Sequence, residues 1–195
     1  MNKLTISPGN MKVKFPIFNL PAQGTCPGST PMCEEACYAM KAQRQYPDAR
    51  ESRERNLKLS KTKEFIKEVN AWFKSKRKPV KYFRIHESGD FYDQEYLDKW
   101  IEIAKAQPKT KFLAYTKSFH LDFLKVPTNM IIYYSIMPDS KRKIFFGHKA
   151  YACFEGHEEE LPDNIFICGT KGKLCHKCMH CFMNKQDGDV YFKAH

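Results

Sequence analysis

The sequence predicts an α/β protein in which parallel strands form a partial (β/α) barrel or an open sheet, followed by a cysteine-rich C-terminal segment that binds metal. Short β-rich runs alternate with amphipathic helical runs, a pattern typical of parallel sheets with right-handed crossovers. Four of the eight cysteines lie close together near the C-terminus. The 195 residues are few for a complete eight-stranded barrel of about 250 residues. We expect an α/β core over residues 1–150 and a cluster-binding segment over residues 151–195 packed on it.

The hydrophobic pattern predicts the elements in order. Residues 14–20 alternate like a first strand, and a helical pattern follows over residues 32–46. Pro47 marks the start of another helix. Later helices are predicted over residues 63–76, from Asp93 to Gln107 and, as a short one, over residues 120–125. Later strands are predicted over residues 80–85, 111–118 and 130–137, with weaker candidates over residues 144–148 and 164–169.

Charge and hydropathy narrow the function classes. The formal net charge of +11 favours an acidic partner, with nucleic acid the first candidate. Bound thiolates would lower this charge, and the lysines are scattered along helices as on an ordinary solvated surface. No apolar run approaches the roughly 20 residues that cross a bilayer, and the start of the chain lacks the apolar stretch of a signal peptide. We therefore expect a cytoplasmic protein with no membrane partner.

The C-terminal cysteines have the spacing of a metal site. Two residues separate Cys175 from Cys178 and two separate Cys178 from Cys181, while Cys168 stands six residues before Cys175. In a reducing compartment, clustered cysteines more often bind metal than form disulfides. Zinc and iron–sulfur clusters both accept four thiolates, so the spacing leaves the metal open.

A second cysteine group follows the first predicted strand and consists of Cys26, Cys33 and Cys37. Cys153 is the one cysteine outside both groups. If Cys153 joins the second group, that site has four ligands and is closed. If it does not, three ligands leave an open coordination position where chemistry can occur. A cysteine between aromatic residues is usually a small buried side chain, which favours the open site.

Polar residues follow the predicted strands, where parallel sheets collect functional groups. Carboxylates and open backbone amides there suit a polar ligand. The predicted catalytic residues are His86, Glu87, Asp90 and Lys117. The predicted cofactor-binding residues are Ser88, Gly89, Asp90, Thr116 and Ser135.

Other interpretations of these residues stay open. Asp90 or Asp93 could cap the next helix, and Arg84 and Lys117 could pair with the acids or with a bound anion. A metal-dependent hydrolase using His86, Glu87 and Asp90 is a weaker alternative, since no second histidine pair has ligand spacing.

Several segments together resemble the gene product 88 family of small phage and plasmid proteins. The resemblance runs from about residue 2 to residue 183. This resemblance implies that the protein is located in the cytoplasm of a host cell. The segments that carry it are NKLTISPGNMKV, the cysteine run ending in CYA, ARESRERN, RIHESGDFYDQEYLDKW, YTKS and the final cysteine cluster.

A more distant resemblance is to radical S-adenosylmethionine enzymes, which use a partial α/β barrel. It implies that the N-terminal cysteines hold a four-iron, four-sulfur (4Fe-4S) cluster whose open iron binds S-adenosylmethionine. Ser88, Gly89 and Asp90 resemble the motif that contacts the methionine amino group, and the C-terminal cysteines would hold an auxiliary cluster. Six and three residues separate Cys26, Cys33 and Cys37, whereas three and two are usual in those enzymes.

Two functional hypotheses follow. The first is a radical-SAM-like iron–sulfur enzyme that acts on a nucleic acid or nucleotide and receives electrons from a donor. The second is a non-enzymatic zinc or iron–sulfur protein that binds nucleic acid or a host protein. The second hypothesis requires two closed sites, with Cys153 as a ligand in one.

Overall fold

The computed structural model describes residues 3–141, 144, 147–169, 174–183 and 188–193. Within these residues, the strands form one sheet in the order β1-β2-β3-β4-β5-β6-β8-β7. β1 is antiparallel to β2, and all other neighbours are parallel. β1 and β7 are the edges, so the sheet is open, and the predicted open sheet of mostly parallel strands is confirmed. The strands are β1 Ile6–Ser7, β2 Ile17–Phe18, β3 Tyr82–Ile85, β4 Lys111–Thr116, β5 Met130–Ile136, β6 His148–Ala152, β7 Phe166–Cys168 and β8 Val190–Phe192.

Two of the predicted helices differ from the structure, and the two short helices of the C-terminal segment were not predicted. The predicted helix over residues 32–46 is broken at Cys37, whose backbone is extended with ψ 97°. The predicted helix over residues 120–125 is wrong, because this segment forms separate turns, such as the one closed by Val126 N and Phe123 O at 3.1 Å. The helices are α1 Pro31–Glu35, α2 Tyr38–Gln45, α3 Pro47–Ser60, α4 Phe65–Lys74, α5 Gln94–Ala106, α6 Cys175–Cys178 and α7 His180–Met183, and a 3-10 turn spans Glu158–Glu160.

The boundaries of α3 and α5 follow from capping chemistry. Pro47 begins α3, where its missing N–H is not needed. The Asp93 carboxylate accepts a hydrogen bond from the Tyr96 amide at 2.8 Å and so caps α5. Among the described residues, no helix combines the length and the apolar character needed to cross a membrane. The weak strand prediction over residues 144–148 falls partly on residues 145 and 146, which lie outside the described residues.

Helices α4 and α5 cover one face of the sheet. Phe18, Phe83 and Phe112 from the strands pack there with Phe65 of α4 and Trp100 of α5. All five side chains are buried. At about 25 cal/mol per Å² of apolar surface, such aromatic burial is the main stabilising contribution to this core.

The opposite face is covered differently. Leu113, Tyr133 and Val190 point to this side of the sheet and pack with Phe15 and with Phe182 of α7. The C-terminal cysteine segment thus covers this face of the sheet, whereas helices α4 and α5 cover the opposite face. The two faces have unlike coverings, and the cysteine-covered face carries a large cavity.

Candidate functional site

A cavity of about 980 Å³ lies over the carboxyl ends of the strands and the cysteine-covered face. All eight cysteines line it. Cys26 lies within electrostatic range of Asp90 and Lys117. Cys175 lies within range of Arg84 and Lys12. The topology therefore brings the two cysteine groups, distant in sequence, to one cavity.

The loop that carries Cys26 is attached to the loop that follows β3. The Leu20 amide donates to the Ser88 carbonyl at 2.9 Å, and the Ser88 hydroxyl donates to the Leu20 carbonyl at 2.8 Å. The Asp90 amide donates to the Thr25 carbonyl at 3.2 Å. The hydroxyl of Ser88 is thus engaged with protein, and it helps to position the cysteine loop.

Asp90 joins the β3 and β4 ends through its buried carboxylate. Its Oδ1 accepts from the Phe91 amide and from the Thr116 hydroxyl, each at 2.7 Å, and its Oδ2 accepts from the Lys117 amide at 2.7 Å. Burial raises the pKa of Asp90, while the Lys117 and Thr116 hydrogen bonds lower it. Thr116 is buried beneath this junction, with 1% of its surface exposed.

Two glycines allow the cysteine loop to approach these strand ends. Gly89 has φ +86°, and a Cβ there would meet the Leu20 Cβ at 2.6 Å. A Cβ on Gly28 would lie 1.9 Å from the Lys117 carbonyl oxygen. Both positions therefore require glycine for close packing.

We expect Gly28→Ala to lower the free energy of unfolding by about 1–3 kcal/mol, the usual cost of overpacking. The cysteine loop must move away from β4, because the contact is with backbone. Gly24→Ala is the matched control, since a Cβ there has no neighbour within 4 Å. Urea denaturation of both variants tests this, and equal losses of stability would contradict it.

Helix α1 carries Cys33 and begins at two polar contacts. The Thr30 side chain accepts from the Cys33 amide at 3.3 Å, and the Asp139 carboxylate accepts from the Met32 amide at 3.0 Å. Asp139 belongs to the segment that follows β5. Cys33 is therefore tied to a third strand end.

The C-terminal cysteines lie on β7, α6 and α7. The Cys175 amide donates to the Lys12 carbonyl at 3.0 Å, and the Tyr115 hydroxyl donates to the sulfur of Cys181. Burial raises the pKa of Cys181 to about 11, and the Tyr115 hydrogen bond opposes this. Burial also raises the pKa of Cys168 and Cys175. Burial therefore opposes the ionisation of these thiols, which a bound cation would favour.

The distances between the cysteine sulfur atoms can be compared with those of known kinds of metal site. Four thiolates on one zinc ion, each at about 2.3 Å, bring the sulfurs to within about 3.8 Å of one another. An iron–sulfur cluster distributes its thiolates over several irons. Within the described residues, no three cysteines have ligand atoms within 4.8 Å of one another. No three of these sulfurs therefore lie at the separation that a single bound zinc ion would impose.

Cys153 follows β6 and has φ 60°. It is partly exposed to the cavity, which differs from the expected small buried side chain. Burial, Glu155 and Cys33 raise its pKa. Cys33 therefore lies within electrostatic range of Cys153, a relation that the sequence spacing did not indicate.

His86 directly follows β3 and has φ 72°. Its ring packs against Phe18, Phe91 and Tyr96 of the helix-covered core, and its Nε2 shares a hydrogen bond with the Tyr96 hydroxyl at 2.7 Å. Burial and the nearby Arg84 lower the pKa of His86 to about 3. A neutral ring in this setting suits a structural role.

The other predicted polar residues lie around the cavity. The Glu87 carboxylate accepts from the Asn10 amide, and the Tyr38 hydroxyl donates to the Glu87 carbonyl at 2.5 Å. The Lys117 ammonium donates to the Ser135 hydroxyl at 3.1 Å. Glu87, Lys117 and Ser135 line the cavity. Asn10 was missed, although it lies in the N-terminal segment that carries the family resemblance.

An open, mostly parallel α/β sheet with helices on one face and a cysteine-lined cavity on the other defines the class: an α/β protein with a candidate metal centre. The chain belongs to the gene product 88 family, whose model matches residues 2–184. This confirms the family resemblance predicted from sequence.

Two similar proteins are the Gene 88 proteins of Mycobacterium phages L5 and D29. Each is 29% identical over 192 residues. The match covers 84% of this chain and 80% of the L5 protein, and 83% of this chain and 80% of the D29 protein. No solved structure matches. The resemblance to radical SAM enzymes has no counterpart in these comparisons.

Proposed function

We propose that the protein is a radical-SAM-like iron–sulfur enzyme with two clusters facing one cavity. The observation that carries the proposal is the convergence of both cysteine groups on that cavity. Cys26, Cys33 and Cys37 would hold a 4Fe-4S cluster with an open iron, and Cys168, Cys175, Cys178 and Cys181 would hold an auxiliary cluster. The open iron would supply an electron to S-adenosylmethionine, and an external donor would restore it.

The chain's own polar groups would bind and orient the reactants. Lys117 and Ser135 form a joined cation and hydroxyl on the cavity wall, and Glu87 offers a carboxylate held by Asn10. Ser88 and Asp90 are engaged in hydrogen bonds with protein. We therefore assign them to positioning the Cys26 loop, where they would act on the cofactor indirectly.

A nucleotide or nucleic acid is the proposed substrate class. The net charge of +11 favours association with a polyanion. Several cations also line the cavity itself, among them Lys12, Arg84 and Lys117. Positive charge is thus available both on the chain as a whole and at the proposed reaction site.

Replacing Cys37 tests the reactive site. We expect Cys37→Ala to lower iron and acid-labile sulfide by about half, because one of two 4Fe-4S clusters loses a ligand, and to abolish S-adenosylmethionine binding. Iron analysis and equilibrium binding on anaerobically purified protein measure both effects. Unchanged iron together with unchanged S-adenosylmethionine binding would refute the proposal.

Cys153 lines the same cavity as Cys33 and lies within electrostatic range of it, which favours a second candidate, the non-enzymatic protein with two closed sites. Cys153→Ala distinguishes the two. If the protein is the proposed enzyme, Cys153→Ala keeps its full metal content and its S-adenosylmethionine binding. If Cys153 is the fourth ligand of a closed site, the same variant loses metal. Cys37→Ala serves as the positive control for metal loss, since both candidates use Cys37 as a ligand.

A further inference from the structure

Arg84 is held in a defined orientation on the cavity wall. It lies on β3 between the buried residues Phe83 and Ile85 and faces the opposite side of the sheet, where it lines the cavity. Its Nε donates to the His86 carbonyl at 3.0 Å. Its guanidinium carbon lies 5.1 Å from the centre of the Tyr115 ring, within the range of a cation–π contact. These two contacts fix the plane of the guanidinium group.

The charge of Arg84 has no carboxylate partner among the described residues. The ion pairs there, taken at N···O distances up to 4.0 Å, are Arg50–Glu54, Arg55–Glu51, Lys99–Glu95, Lys149–Asp189 and His157–Glu160. The hydrogen bond to His86 uses Nε, and both Nη groups make no hydrogen bond to the described part of the chain. A partly buried cation of this kind normally pairs with an anion.

Arg84 also lies between the two halves of the site. Glu87 and Tyr38 are its charged or ionisable neighbours on the side of the N-terminal cysteine group, and Cys175 is one on the other side. Lys12 is a second cation, close to Cys168 and Cys175. Arg84 and Lys12 both lie within electrostatic range of Cys175, so an anionic group bound at Arg84 would have a second cation on that side of the cavity.

We propose that Arg84 binds an oxyanion, a carboxylate or a phosphate, of the molecule that enters the cavity, and that Lys12 adds a second positive charge. A planar guanidinium with free Nη groups matches both oxyanions through paired hydrogen bonds. The proposal names the substrate chemistry of the enzyme proposed above and rests on that function for its biological meaning. The anion site itself rests on the contacts of Arg84.

The test uses the purified holoprotein and two probes, inorganic phosphate and acetate. Each is titrated at constant ionic strength with chloride as the balancing ion, and the thermal midpoint is followed, because a ligand that binds the folded state raises it. We expect saturable stabilisation by at least one probe. The preferred probe distinguishes a phosphate-bearing substrate from a carboxylate.

Arg84→Met should raise the probe concentration at half-saturation at least about tenfold, since charge-assisted hydrogen bonds contribute about 1.5–3 kcal/mol. Arg84→Lys keeps the positive charge but loses the planar guanidinium that donates paired hydrogen bonds. It should therefore raise the probe concentration at half-saturation by a smaller factor. Arg55→Met is the matched control, because Arg55 lies exposed on α3 and pairs with Glu51 at 3.4 Å. It should leave half-saturation unchanged.

Iron and sulfide are measured in every variant, so that loss of the clusters is separated from loss of anion binding. Normal metal content with a raised half-saturation in Arg84→Met supports the proposal. The absence of saturation with both probes would overturn it. An equal probe concentration at half-saturation in wild type and Arg84→Met would also overturn it. If Arg84→Met fails to fold, the same comparison is made between wild type and Arg84→Lys.

Discussion

Asp90→Asn should lower the free energy of unfolding by about 3 kcal/mol, the cost expected when a buried charge-assisted network is left with an unmatched donor. The asparagine oxygen can still accept from the Phe91 amide and the Thr116 hydroxyl, as Oδ1 of Asp90 does. Its amide nitrogen would then face the Lys117 N–H, which now donates to Oδ2. Flipping the asparagine amide does not help, because its nitrogen would then face the Phe91 N–H, which now donates to Oδ1.

The destabilisation caused by Asp90→Asn should extend to the loop that carries Cys26. The Lys117 carbonyl lies against Gly28, and the Asp90 amide bonds to Thr25. Asp93→Asn is the matched control, because asparagine caps a helix about as well as aspartate does. Urea denaturation compares the two. An Asp90→Asn variant as stable as Asp93→Asn would contradict this account of the junction.

Acidification should destabilise the protein through His86. Burial and Arg84 lower its pKa in the folded state from 6.5 to about 3. The unfolded chain therefore binds a proton that the folded chain excludes. The stabilising contribution of neutral His86 is complete above pH 6.5 and is lost as the pH falls towards 3. Each pH unit within that window costs about 1.4 kcal/mol, so the loss from pH 7 to pH 4.5 is about 3 kcal/mol.

The variant His86→Gln isolates this contribution. Its stability at pH 7 should be lower, because the bond to the Tyr96 hydroxyl is disturbed, but its stability should fall less steeply between pH 7 and pH 4.5. His120→Gln, at an exposed turn position, should keep the wild-type slope. Urea denaturation at several pH values measures the slopes. Parallel slopes for wild type and His86→Gln would contradict a neutral, buried His86.

The parts of the fold predicted well are those in which local chemistry and burial agree. Helix α5 begins after Asp93, which caps it, and ends before Gln107, as its apolar spacing predicted. β4 and β5 lie within the predicted runs, because they are buried strands rich in β-branched and aromatic residues. In these elements, propensity and tertiary packing favour the same structure.

The rest depends on contacts between distant segments. The break at Cys37 follows no proline or glycine, and it separates α1, which is held by Asp139, from α2. Cys33 and Cys153 line the same cavity because strand ends far apart in sequence meet at one edge of the sheet. Spacing within a motif carries no information about such contacts.

The predicted polar residues fall into two groups, those that bond within the protein and those that line the cavity. Sequence placed His86, Ser88 and Asp90 correctly at a strand end, but only the packing shows that the His86 ring lies in the core and that Ser88 and Asp90 bond to protein. Glu87, Lys117 and Ser135 remain on the cavity wall. A strand-end position therefore predicts nearness to the site, while the neighbouring loops decide which groups a ligand can reach.

The most direct test of the two-cluster account measures iron, zinc and acid-labile sulfide per chain on anaerobically purified protein, with absorption and electron paramagnetic resonance spectra before and after adding S-adenosylmethionine. The account predicts about eight irons and eight sulfides, as two 4Fe-4S clusters require, and a spectral change on addition. Zinc without sulfide would contradict it and would leave a protein whose cysteines serve structure alone.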